Sequence, residues 1–102
     1  NFISNSSIKA PLVNLAEATT NIDLFNKIIL IEQADPGYDW LFGRDIGGLI
    51  TKYGGANSHM AIRSAEFGLP AAIGVGESIF SQIEHAKELE LDPINQIVRV
   101  IQ

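Results

Sequence analysis

The chain contains no cysteine. That excludes a disulfide framework and any thiolate metal site, and it fits a reducing compartment such as the cytoplasm. No apolar run approaches the roughly 20 residues needed to span a bilayer. No basic start leads into an apolar segment, so no secretory signal is visible in this stretch and no membrane partner is expected. Positive charge is scarce. Seven Lys and Arg stand against twelve Asp and Glu, for a net charge of -5, whereas a nucleic-acid binder is expected to be basic. Internal repeats and low-complexity tracts are missing. So is an initiator methionine: the chain begins NFISNSSIKAP and ends QIVRVIQ. The expectation is a single domain spanning residues 1–102, excised from a larger multi-domain protein whose other domains complete its function.

What is present describes a soluble globular domain with a small core, at 102 residues, 46% apolar and 19% charged. Residues 8–15 are extended in character, with Pro11 expected to interrupt a regular ladder. Residues 16–26 are mixed, with a helical turn expected around Asp23 to Asn26. KIILIEQ, 27–33, is isoleucine-rich and bounded by polar residues, as a buried strand is. ADPG, 34–37, reads as a turn, and YDWLFGR, 38–44, as a short helix ended by Gly43. IGGLIT, 46–51, reads as a further strand. Ser58 or Asn57 can cap a helix running to about Phe67, which Gly68 terminates and Pro70 keeps from resuming. PAAIGVG, 70–76, reads as a short buried strand and Glu77 to Ala86 as a second helix. Residues 89–101 read as a hairpin around Pro-Ile-Asn-Gln. The fold class is α/β, with parallel and antiparallel pairings in a mixed sheet.

One stretch carries chemistry. In GGANSHMAIRSAEFGLPA, 54–71, a glycine pair precedes one of the chain's two histidines. Gly54 and Gly55 permit backbone angles closed to other residues, and Gly55 is expected to need an unusual φ. Such a loop can turn amides toward an anion. The helix that follows adds unpaired amides and the positive end of its dipole, so a phosphate suits the position. His59, at the first or second helical position, projects its ring beside that site. A neutral imidazole nitrogen is a nucleophile, and the helix N-terminus is expected to keep the ring neutral. Attack on a phosphoryl group would give a phosphohistidine. On local chemistry alone, a cap or a satisfied surface histidine is the commoner use of such a residue. Between Arg44 and Glu66 there are three basic residues and two acids, against five acids and one lysine between Glu77 and Asp92. The region around His59 is thus the less negative one.

The remaining candidates have plainer uses. His85 lies in an acidic helical stretch and reads as a solvated surface residue. Ser58 reads as a cap rather than a hydrolase nucleophile, because neighbours at a helix start face apart and no GxSxG elbow exists. A metal site is not expected, since no His, Asp or Glu lies four residues from His59. Trp40, Tyr38 and Phe42 read as core or as a domain contact, and Met60 and Phe67 as helix packing. Tyr53 borders either the phosphate pocket or solvent.

The stretch Gly47 to Glu77, GGLITKYGGANSHMAIRSAEFGLPAAIGVGE, resembles the phosphohistidine swivelling domain of PEP-utilising enzymes. That family includes PEP synthase, pyruvate phosphate dikinase and the first enzyme of the sugar phosphotransferase system. Related kinases use the module on rifampicin or glutamine. Thr51, Gly54, Gly55, Ser58, His59, Ala61, Ile62, Gly68, Pro70, Ala71 and Gly74 match the family pattern, and ADPGYDW, 34–40, sits where members carry a Thr-x-Pro-x-x-Trp-like segment. Two positions depart from it. Asn57 replaces a common threonine, and the family arginine six residues after the histidine falls on Ala65, leaving Arg63 on a different face.

The resemblance implies a compact β/β/α swivelling domain with the active histidine at a helix N-terminus. It implies His59 as the phosphorylated residue, supported by Gly54, Gly55, Asn57, Ser58, Thr51 and Arg63. It implies no cofactor on this domain, with ATP and magnesium on neighbouring domains. Its partners would be nucleotide-binding and acceptor-binding domains of the same protein and a small-molecule acceptor. The function implied is phosphoryl carriage in an ATP-dependent dikinase-type phosphotransferase. A docking module that keeps the fold without the chemistry and a phosphate-ligand binding domain are the alternatives.

Overall fold

A computed structural model describes residues 1–15 and 22–102. Seven strands form one sheet: β1 (Phe2–Ile3), β2 (Ile8–Asn14), β3 (Ile28–Gln33), β4 (Gly48–Tyr53), β5 (Ala71–Ala72), β6 (Glu88–Asp92) and β7 (Ile97–Val100). Their spatial order is β1-β5-β4-β3-β2-β6-β7. The inner four, β5-β4-β3-β2, pair in parallel, and the outer pairings are antiparallel. Phe2 from one edge and Val98 and Val100 from the other line a common cavity with Ile79 and Ile83, so the sheet curls into a half-barrel.

The apolar run of β3 explains its central place. A strand covered on both faces by crossover helices reads as continuous hydrophobics rather than an alternation. Ile28 and Leu30 point into one core with Ile50, Ala72, Phe80, Ile83, Leu89 and Leu91. Ile29 and Ile31 point into the other with Leu41, Leu49, Met60, Ala71 and Ile73. The period-two split follows from strand geometry. A 3-10 helix, Pro36–Arg44, connects β3 to β4, and α1 (His59–Phe67) connects β4 to β5. Both supply side chains to the Ile29–Ile31 core. The second helix, α2 (Gly76–Ile83), covers the other face through Phe80 and Ile83.

Several sequence expectations shift. Pro11 does not break its strand. β2 pairs with β6 over Ile8 to Pro11 and with β3 over Leu12 to Asn14. The Leu12 N–H donates to Lys87 O on the β6 side, so by alternation the missing Pro11 N–H faces the other side, before the β3 ladder begins. Of the mixed stretch 16–26, residues 16–21 lie outside the described residues, and the turn expected around Asp23 to Asn26 falls within them. Asp23 to Asn26 form a tight turn, with the Asp23 carboxylate accepting from the Phe25 N–H at 3.0 Å. The short helix expected over 38–44 starts earlier, at Pro36, and passes through Gly43. Asp45, at φ 52°, ends it. The strand expected over 70–76 pairs only at Ala71 and Ala72, because the chain turns at Gly74 and Gly76, both at positive φ. The helix expected over 77–86 ends at Ile83. The hairpin forms as read, with its turn over Pro93 to Gln96. Among the described residues no helix is long and apolar enough to cross a membrane.

Candidate phosphoryl-accepting site

Parallel pairing assembles the site. β3 and β4 lie in register with Gln33 opposite Tyr53. Their carboxyl ends feed the 3-10 helix and the glycine loop side by side, the place where open α/β sheets put their ligands. Each chain then travels the same distance, to Asp39 on one side and His59 on the other.

His59 is the first residue of α1. Ser58 is the N-cap, its Oγ accepting from the Ala61 N–H at 3.3 Å while its backbone N–H donates to Gly55 O at 3.0 Å. The helix ends at Gly68 in a left-handed conformation, with the Gly68 and Leu69 N–H groups returning to Ala65 O and Ser64 O. Met60 and Ala61 point into the core, which turns the His59, Ile62, Arg63 and Glu66 side of the helix outward. The His59 side chain is 37% exposed.

The glycine that needs its special backbone is Gly54, not Gly55. Gly54 has φ 130°, and a Cβ there would sit 2.4 Å from the Ala34 Cβ. Gly55 is not in the positive-φ region and has open space around it. Gly74 closes on the same loop: a Cβ on it would fall 2.1 Å from Gly54 O. Thr51 ties these turns together. Fully buried, its hydroxyl donates to Tyr53 O and accepts from the Gly74 N–H, both at 2.9 Å. Thr51 thus holds the loop's shape from behind, while Asn57 is exposed in the turn ahead of Ser58.

The residue sequence reasoning missed is Asp39. Its Oδ1 lies 2.7 Å from His59 Nε2 and 3.0 Å from Arg63 Nε. Arg63 Nη1 also donates to Glu66 at 3.2 Å, and its guanidinium lies over the rings of Phe67, at 4.9 Å, and Phe42, at 5.6 Å. Those rings stack on each other at 5.3 Å, so Phe67 is a half-exposed platform for Arg63 more than core packing. Arg63 stands one helical turn from His59 on the same face and meets it through the shared carboxylate. The hydrogen bond from His59, then that from Arg63, holds the Asp39 carboxyl below the usual range. Asp39 in turn raises Arg63, with Glu66 adding to it. A carboxylate oxygen only accepts, so His59 Nε2 carries a proton in this arrangement. The only sequence signal for Asp39 was its place in ADPGYDW after the β3 strand.

Other candidates fall elsewhere. Tyr53 is exposed beside Lys52, whose Nζ lies 2.5 Å from Glu77. Trp40 is half-exposed under Arg44, while Tyr38 and Phe42 pack against the core. His85 is a surface residue beside Glu84, just past the end of α2. Among the described residues, no three His, Asp, Glu or Cys side chains gather as a metal site requires.

The architecture is a mixed half-barrel sheet in which the crossover helix from β4 to β5 begins at a histidine. The chain belongs to the family described as PEP-utilising enzyme, mobile domain, which matches residues 25–95. Among solved structures, it is similar to the solution NMR structure of a UPF0107 protein, with a TM-score of 0.69 at 10% identity, covering 99% of this chain and 96% of that one. It is also similar to the NMR structure of Enzyme I, with a TM-score of 0.62 at 24% identity over 80% of this chain. The match spans 33% of the Enzyme I chain. No curated protein matches the sequence.

Proposed function

We propose that this chain is the phosphoryl carrier of an ATP-dependent, dikinase-type phosphotransferase. His59 takes a phosphoryl group at a nucleotide site on a neighbouring domain and delivers it to a small-molecule acceptor on another. Pyruvate, as in a PEP synthase, and the amide of glutamine are both in range. The observation that carries the reading is the placement of His59: first residue of a capped helix, ring partly exposed, with Arg63 one turn on. An exposed ring can enter a partner's site, and a guanidinium is suited to a phosphoryl group's oxygens.

The chemistry is a balanced displacement. A ring-nitrogen lone pair attacks phosphorus, the N–P bond forms as the P–O bond to the donor breaks, and the leaving oxygen takes the electron pair. In the second half the acceptor oxygen attacks the same phosphorus and the ring nitrogen recovers its pair. The residues of this domain hold the group. Orienting donor, magnesium and leaving group makes up most of phosphoryl-transfer catalysis, and that work belongs to the neighbouring domains.

A pulse-chase tests the reading. The intact enzyme is labelled from ATP carrying label at its β-phosphate, freed of nucleotide, and offered pyruvate or glutamine. Acid-labile label should leave the protein and appear in one acceptor product. Label arising only from the γ-phosphate, or none in the presence of every neighbouring domain, would overturn it.

A further inference from the structure

Asp39 Oδ1 bridges His59 Nε2 and Arg63 Nε, at 2.7 and 3.0 Å. A negatively charged oxygen therefore already bridges the nucleophilic ring and the Arg63 guanidinium. We infer that Asp39 is a positioning residue that acts as a built-in stand-in for the phosphoryl group, holding His59 with Nε2 protonated and closed until the contact is released. The inference rests on His59 being the phosphoryl acceptor.

Three features of the site support it. First, Nε2 hydrogen-bonded to a carboxylate has no lone pair to offer. Second, that nitrogen is directed at the 3-10 helix by a residue from a separate crossover, so the contact fixes the ring's rotation as well as its tautomer. Third, Arg63 is held in place by Glu66 and by the stacked Phe42 and Phe67. Its position does not depend on Asp39 alone. If Asp39 withdraws, Arg63 remains to face an anion on Nε2.

The Nε2–H···Oδ1 bond opens, and solvent removes the Nε2 proton while Nδ1 gains one. The freed Nε2 pair attacks phosphorus as the donor's bond to phosphorus breaks. The ring then gives its Nδ1 proton to solvent or to the leaving group. Asp39, now beside a second anion, is repelled, and Arg63 exchanges the carboxylate for phosphoryl oxygens. When the phosphoryl group leaves, Asp39 returns.

The test separates this device from the carrier function. Long-range proton–nitrogen correlation spectra of the unphosphorylated chain should show His59 protonated at Nε2. Asp39→Ala should lose that preference, and Asp39→Asn, whose carbonyl still accepts, should keep it. The chain is then treated with phosphoramidate, a small donor that requires no partner domain and releases ammonia on transfer. Asp39→Ala should label His59 at Nε2 about threefold or more faster than the parent, a modest factor because the contact is partly exposed. His85 in the same molecules should label at an unchanged rate and serves as the internal reference. Equal His59 rates in parent and Asp39→Ala, or a parent ring protonated at Nδ1, would overturn the latch. If instead Asp39→Ala behaves as expected but the intact enzyme never labels His59 from ATP, the latch stands and the carrier reading falls.

Discussion

Replacing Gly54 with alanine should destabilise the domain severely, and the same change one residue later should do almost nothing. At Gly54 an added Cβ would meet the Ala34 Cβ at 2.4 Å and the Ile73 Cγ2 at 3.3 Å, at a φ of 130°. The Ala34 carbon is a backbone-anchored methyl with no rotamer to yield, so the loop itself must shift. A side chain forced into that region of φ costs about 1–3 kcal/mol, and overpacking of a tight contact adds about 1–3 kcal/mol. The expected loss is about 2–6 kcal/mol, a large part of the 5–15 kcal/mol or so that holds a typical domain. For a chain of this size that lowers Tm by at least about 8 °C. At Gly55 an added Cβ meets nothing within 4 Å, and Gly55→Ala should lie within about 0.5 kcal/mol of the parent. Urea and thermal unfolding followed by circular dichroism would measure both. Equal losses for the two variants, or a Gly54→Ala variant as stable as the parent, would refute the argument that the backbone of Gly54 and its close approach to Ala34 set the loop's shape.

Three further outcomes are expected. Ser64 is fully buried and, among the described residues, its hydroxyl has no partner, so Ser64→Ala should leave stability unchanged or raise it by up to about 1–2 kcal/mol, read from the urea midpoint; a loss above about 1 kcal/mol would mean the hydroxyl is satisfied. The Asp39 carboxyl is depressed by His59 and then by Arg63. Its stabilisation is therefore present above the ordinary aspartate value of 3.8 and lost as pH falls through its lower folded value. The gap in urea midpoint between parent and Asp39→Asn should be open at pH 6 and narrow progressively below about pH 4, and a gap that widens on acidification would contradict the pairing. The chain alone, with ATP and magnesium, should neither label itself nor bind nucleotide tighter than about 10 μM, roughly -7 kcal/mol, because it has no glycine-lysine loop to cradle a triphosphate; calorimetry with a labelling time course measures both.

Local chemistry was legible in the sequence where one residue type has one local use. Ser58 caps because its short hydroxyl reaches the first-turn amides. Gly68 stops α1 because the chain turns left-handed there, and β3 is central because four successive apolar residues need two covered faces. Contacts made across the sheet were not legible. Asp39 meets His59 only because β3 and β4 pair in parallel and in register, and nothing within twenty residues of local pattern states that register. The choice between Gly54 and Gly55 has the same character, since it is decided by Ala34 and Gly74, from other parts of the chain. Pro11 misled because a proline's missing donor matters only on the side where a neighbour would accept. β2 exchanges neighbours at that residue. Arg63 looked displaced when judged by spacing from the family arginine, yet a carboxylate from another crossover brings it into the site.

The most direct test of the account is the site of phosphorylation. The intact enzyme is labelled from its own donor and digested under alkaline conditions that preserve phosphohistidine, in parent, His59→Ala and His85→Ala forms. The account predicts acid-labile label on the peptide bearing His59 in the parent and in His85→Ala, and none in His59→Ala. Label persisting in His59→Ala, or found on His85, would contradict it.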